Sequence, residues 1–136
     1  MQISEFSTRE LSDLIYTYLS EIQDDRTTYT DVVLTTPTTT SKFPCRVINV
    51  PLEQVTKTEN AIPIVKRYQV TIENWAKLQR DVMDMGQRTD EALRGINLIR
   101  TTTAQVIFDE VTKKYRLIAT YEMDYYGVHN SFEVIR

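Results

Sequence analysis

The chain has 136 residues, 41% of them hydrophobic and 26% charged, with a formal net charge of −3. This is the length and balance of one globular domain with a sizeable core, and the mildly acidic total excludes a global basic field that would argue for nucleic-acid binding. No apolar run approaches the ~20 residues that span a bilayer.

Helix signals come first. Ser7 and Glu10 stand in the capping-box relation, and Phe6 and Leu11 occupy the staple positions around them. Leu11, Leu14, Ile15, Tyr18, Leu19 and Ile22 then fall on one stripe, which predicts an amphipathic helix of about four turns. Asp24, Asp25 and Arg26 close it. Two short apolar runs follow, residues 31–34 and 43–50, separated by Thr35, Thr36, Pro37, Thr38, Thr39, Thr40, Ser41 and Lys42. Both runs read as strands, and the Thr-rich insert reads as the tip of a protruding hairpin. Pro44, which has no amide hydrogen, marks an edge or the start of the second strand. Residues 51–60 are mostly polar, with Leu52 and Val55 as the apolar anchors, and read as a surface connection.

The central stretch is residues 62–99. Ile62, Ile64, Tyr68, Val70 and Ile72 alternate with polar residues, one strand with a dry and a wet face. After Asn74 the period changes: Leu78, Val82, Met85, Thr89, Ala92, Leu93 and Ile96 recur at helical spacing. The strand is expected to reach Ile72 or to continue to Trp75, with the helix following directly. Gly95 and Asn97 punctuate the helix end, one of them as a left-handed cap. Residues 101–109 and 114–125 predict a hairpin joined by a polar connector, and Gly127 is expected to break its second strand. Residues 129–135 give a last short strand. Paired strands with two interspersed helices predict an α+β fold: a mostly antiparallel β-sheet with two α-helices packed on one face and a protruding β-hairpin.

No chemistry assembles along the chain. The three glycines form no phosphate-cradling loop. Cys45 is the single cysteine, so no intramolecular disulfide forms and a small buried core residue is the default reading. The single histidine, His129, reads as a turn or strand-end residue. Asp81 and Asp84 share a helix face without the loop ligands of a calcium site. The N-terminal residues lack the basic and apolar regions of a signal peptide, so synthesis in the cytoplasm is expected. No catalytic, cofactor-binding or metal-binding residue is assigned, and an enzyme is not expected. Eight tyrosines are many for this length, and Tyr is enriched at protein interfaces. Tyr125 and Tyr126 are adjacent in a strand, so they point to opposite faces and one leaves the core side.

The order of elements resembles the tail-terminator proteins of long-tailed bacteriophages, also called tail-completion or tail-to-head joining proteins. The resemblance spans nearly all of residues 1–136 as a single domain. It rests on the N-terminal helix, a hairpin whose second strand begins Phe43–Pro44, the run Tyr68–Gln69–Val70–Thr71–Ile72–Glu73–Asn74–Trp75 leading into a helix, and the closing strand from Tyr115 to Tyr125. It implies an α+β subunit that forms a hexameric ring in the virion, caps the tail tube, stops its elongation and provides the surface that joins the head. The implied partners are further copies of the chain, the tube protein and a head-completion or neck protein. DNA only passes through the bore, and no membrane is involved. Ring contacts are heterologous. The residues expected to make them are Thr35, Thr36, Pro37, Thr38, Thr39, Thr40, Ser41, Lys42, Leu52, Val55 and Tyr126. The alternatives are another phage neck, head-completion or minor tail component, and a non-viral α+β protein-binding module.

Overall fold

The computed structural model describes residues 8–22, 31–39, 41–59, 62–128 and 131–134. Helix α1 (Thr8–Ser20) presents Leu11, Ile15 and Leu19 inward, one residue per turn and all fully buried. Each such side chain contributes about 1.5–3 kcal/mol on burial. The capping-box Ser7 and staple Phe6 lie outside the described residues, as do Asp24, Asp25, Arg26 and His129.

Eight strands form one sheet. They are β1 (Asp31–Val33), β2 (Cys45–Ile48), β3 (Leu52–Glu59), β4 (Ile62–Ala76), β5 (Ile99–Arg100), β6 (Gln105–Asp109), β7 (Lys114–Val128) and β8 (Ser131–Val134). Helix α2 (Gln79–Arg94) separates β4 from β5. Strands β4 and β7, each 15 residues long, pair antiparallel down the middle, from Val65 opposite Tyr126 to Ala76 opposite Tyr115. On the outer side of β4, β2 and β3 take opposite ends; on the outer side of β7, β6, β5 and β8 follow one another. The fold is therefore α+β with a mostly antiparallel sheet.

Directly opposed residues share a face, so the register sorts the side chains. Tyr68, Val70 and Ile72 of β4 stand beside Met123, Tyr121 and Ala119 of β7. These six, together with Leu11, Ile15, Leu19, Val32, Ile48, Leu93 and Leu98, form the main core under the helices. A second cluster, Ala76, Val82, Met85 and Leu117, continues it beneath the first half of α2. There Gly86 lets the helix settle on the sheet, because a Cβ at this position would run into Leu117 Cδ2. The opposite, open face is mostly polar, but Cys45, Val47 and Trp75 form a third cluster on it with Val33 and Phe43.

Four expectations need correction. The runs 31–34 and 43–50 do not make a hairpin: β1 and β2 pair parallel, with Asp31 opposite Cys45 and Val33 opposite Val47. Parallel pairing sends Val32 into the main core and Val33 to the Trp75 cluster. The Thr-rich segment is thus the connection that carries the chain back along the sheet. Residues 51–60 hold a strand, β3, rather than a surface connection; its polar composition is that of an edge strand, where charge discourages further pairing. The second strand of the late hairpin is not broken at Gly127 but runs through it to Val128, opposite β8. Helix α2 stops at Arg94, and residues 99–100 form β5 instead.

Other boundaries agree with the sequence. The central strand passes Ile72 to end at Ala76. The second strand starts at Cys45, directly after Pro44. The left-handed residue after α2 is Asn97, with φ 63, whereas Gly95 is right-handed. The Leu98 amide bonds Leu93 O at 3.0 Å and turns the chain back toward the sheet.

Candidate assembly surfaces

The expected contact residues fall into two separate places. In the β1–β2 connection, Thr35, Thr36, Thr38, Thr39 and Lys42 are exposed, Ser41 is half-buried and Pro37 is buried. Thr40 lies outside the described residues. The segment is folded on itself: the Thr38 amide donates to Ser41 Oγ at 2.8 Å, and the Ser41 amide donates to Thr38 O at 3.1 Å. It is a tethered turn with a buried proline, not an extended arm.

Leu52 and Val55 lie at the other place, on β3, and are 64% and 42% exposed. The register puts Leu52 opposite Gln69 on the open face and Val55 opposite Lys66 on the helical face. Beside Val55, the half-exposed Glu53 carboxylate holds Lys66 Nζ at 2.9 Å. From Tyr68 and Met123 of the main core, β4 reaches back to Ile62 and β7 runs on to Val128. Strands β3 and β8 flank these extensions. This end of the sheet is therefore four-stranded, with Tyr126 opposite both Val65 and Glu133.

The open face between these places is a polar lattice. Arg67 makes two bonds to the Asp124 carboxylate, at 2.9 and 3.2 Å. The hydrogen bonds and charge of Asp124 hold this guanidinium more firmly protonated than usual. Thr71 and Thr120 hydroxyls bond across the central pair. Glu73 receives Arg116 at 3.3 Å and Asn49 at 3.1 Å. Arg116 also lies over the Trp75 ring, and Lys114 over Phe43. This lattice ties the strands together.

Sequence reasoning did not single out the far edge. There β6 carries Val106, Ile107 and Phe108 in a row, and Phe108 is 42% exposed. Three consecutive apolar residues in a short edge strand were the available signal. Asp109 closes the β6–β7 turn by accepting from the Thr112 amide and hydroxyl, each at 2.8 Å. The hydrogen bond from the Thr112 amide, then that from its hydroxyl, lowers the Asp109 pKa below the ordinary carboxylate value. Between β6 and α2 lies a cleft of about 380 Å³ with Ala104, Val106, Leu117 and Ala119 at its base and Met83, Gly86, Gln87 and Asp90 along the helix. At its end Arg100 pairs with Asp90 at 3.3 Å, and the Tyr121 hydroxyl donates to the same carboxylate. Burial, then that hydrogen bond, raises the Tyr121 phenol far above its usual range.

Among the described residues no cluster of three or more His, Cys, Asp or Glu side chains is arranged to hold a metal ion, and no helix is long and apolar enough to cross a membrane. Comparison of the sequence with protein-family models and with curated proteins gives no match.

Proposed function

We propose that this chain is a structural assembly protein of the tail-terminator kind: a virion subunit that forms a hexameric ring on the head-proximal end of a phage tail tube. In this role it ends tube elongation and presents the surface to which the head is joined. The observation that carries the reading is the four-stranded sheet end. There β3, β4, β7 and β8 run side by side with Leu52 and Val55 of β3 exposed; a subunit in a ring gains from them a surface for its neighbour. The α+β fold with both helices on one face is compatible with the resemblance, although the hairpin that formed part of it is a parallel pair, and the polar open face suits a protein whose contacts are with other subunits. Copies of itself, the tube protein and a neck protein are the partners, and DNA passes through the bore.

Electron microscopy of particles made without this protein tests the role. Over-long, headless tails are the expected result. Headless tails of normal length would restrict the role to joining, and normal tails carrying heads refute it. Solution mass adds a second arm, with about six copies expected for the closed ring. Because the Thr-rich segment is a tethered turn, deleting residues 38–41 should weaken tail joining more than it weakens folding; unchanged assembly and joining would remove that segment from the contact surface.

A further inference from the structure

We infer that the outer edge of β6 is a two-fold pairing surface for a second copy of this chain, with the two β6 strands antiparallel about Ile107. The sheet's edges are treated unequally. On one side β1 has only three residues, and β3 carries Lys57 with register shifts on both sides of it. Short strands, lysines and bulges are the devices that keep sheet edges from pairing. Strand β6 has none of them. Its register against β7 is unbroken from Gln105 to Asp109, it contains no lysine or proline, and among the described residues it pairs with β7 alone.

The strand is also complementary to itself. Antiparallel pairing about Ile107 sets Val106 opposite Phe108 of the second copy, Ile107 opposite Ile107, and Gln105 opposite Asp109. Apolar residues meet apolar residues, and the one charged residue meets an amide that can donate to it. Centring one residue later would bring Asp109 against Ile107, and one residue earlier would bring Gln105 against Ile107. The centre at Ile107 is thus the register that the side chains favour.

A separate feature points to the same occupant. Val106 and Phe108 lie on the helical face, since they oppose Leu117 and Tyr115. Val106 also lines the cleft between α2 and β6. A strand added beside β6 in this register delivers Phe108 of the second copy next to Val106, on the same face as the cleft. The site and its occupant are then the same five residues seen from two copies, which is the property of a two-fold contact. The pairing does not depend on the ring: head-to-tail contacts close a ring, whereas this contact joins two copies face to face.

Cysteine cross-linking of the full chain tests the register. The native Cys45 is 1% exposed, so the wild type should give no linked species. Mild oxidation of Ile107→Cys should give a disulfide-linked dimer, and Gln105→Cys alone should not, because position 105 faces position 109. A mixture of Gln105→Cys and Asp109→Cys should link. Absence of the Ile107→Cys dimer, or equal linking by Gln105→Cys alone, overturns the proposal. Sedimentation gives the second arm: Ile107→Lys should halve the mass of the associating species while leaving the circular dichroism spectrum unchanged. A wild-type chain that stays monomeric at every concentration also overturns it. A six-copy ring without the Ile107→Cys link removes the pairing and keeps the ring; a linked dimer with normal tails in the deletion particles does the reverse.

Discussion

Thr89→Val is the sharpest test of how α2 is fastened to the sheet. Thr89 is fully buried, and its hydroxyl lies among three polar groups. Arg46 Nε donates to Thr89 Oγ1 at 2.9 Å; Met85 O and Asn74 Oδ1 lie 2.8 and 3.2 Å from the same oxygen. A hydroxyl has one proton, so it serves one of those two acceptors at a time. Arg46, itself fully buried, also donates through Nη2 to Met85 O at 3.0 Å. Valine has the shape of threonine without the hydroxyl. The Met85 carbonyl would keep its bond from Arg46, but Arg46 Nε–H and Asn74 Oδ1 would lose their Thr89 partner in a dry site. A lost bond to a charged group costs about 1.5–3 kcal/mol and a stranded neutral acceptor about 1–3 kcal/mol, partly offset by the added methyl, so the net loss should be roughly 2–4 kcal/mol. That corresponds to a fall in Tm of the order of 10 °C for a domain of this size. Thr89→Ser keeps the hydroxyl and removes one methyl, and should cost only about 1 kcal/mol. Urea unfolding of the three proteins, followed by circular dichroism at an unchanged m-value, gives the comparison. Valine as stable as wild type, or more stable than serine, would refute the account of this network.

Two further outcomes follow from the same packing. Gly86→Ala gains helix propensity but drives a Cβ into Leu117, and should lose about 1–3 kcal/mol in chemical unfolding; Leu117→Val in the same chain should recover part of that loss, and simple additivity of the two substitutions would argue against the contact. Burial, then the bond to Asp90, raises the Tyr121 pKa well above the ordinary tyrosine value. A group whose folded value is raised contributes stability that is fully present below the unfolded value and lost as pH rises above it toward the folded value. The wild type should therefore lose stability from about pH 10 upward, and Tyr121→Phe should flatten that slope in alkaline unfolding curves. An equal slope in both proteins would show that Tyr121 ionises as freely in the fold as out of it.

Much of the architecture was legible along the chain because it rests on period and punctuation. The stripe from Leu11 to Ile22, the alternation ending at Ile72 and the change of period before Val82 each identify an element locally. Pro44 placed the start of β2 because a residue without an amide hydrogen cannot enter a ladder. The candidate surfaces were less legible. Leu52 and Val55 stood out as apolar residues in a polar run, but their strand was hidden, since an edge strand carries the composition of a loop. The β6 edge, with Val106, Ile107 and Phe108 in succession, was read only as one strand of a hairpin; which strands lie outermost is a property of the sheet and not of any segment in it.

The sequence by itself determined the α+β class, the two helices, the long central strand and the closing β6–β7 hairpin, because hydrophobic period and turn chemistry act between near neighbours. Only the tertiary structure decided that β1 and β2 run parallel, that the Thr-rich segment is their crossover, and that β3 and β8 flank the two central strands at one end of the sheet. The buried triad of Arg46, Thr89 and Asn74 belongs to the second group as well. Arg46 and Thr89 are 43 positions apart, and no local pattern announces a buried arginine; it is positioned by the register of β2 on β4, which sets Arg46 opposite Asn74, and by the way α2 settles on the sheet at Gly86. Strand pairing and helix docking join residues distant in sequence, so their outcome depends on how all the dry faces close together.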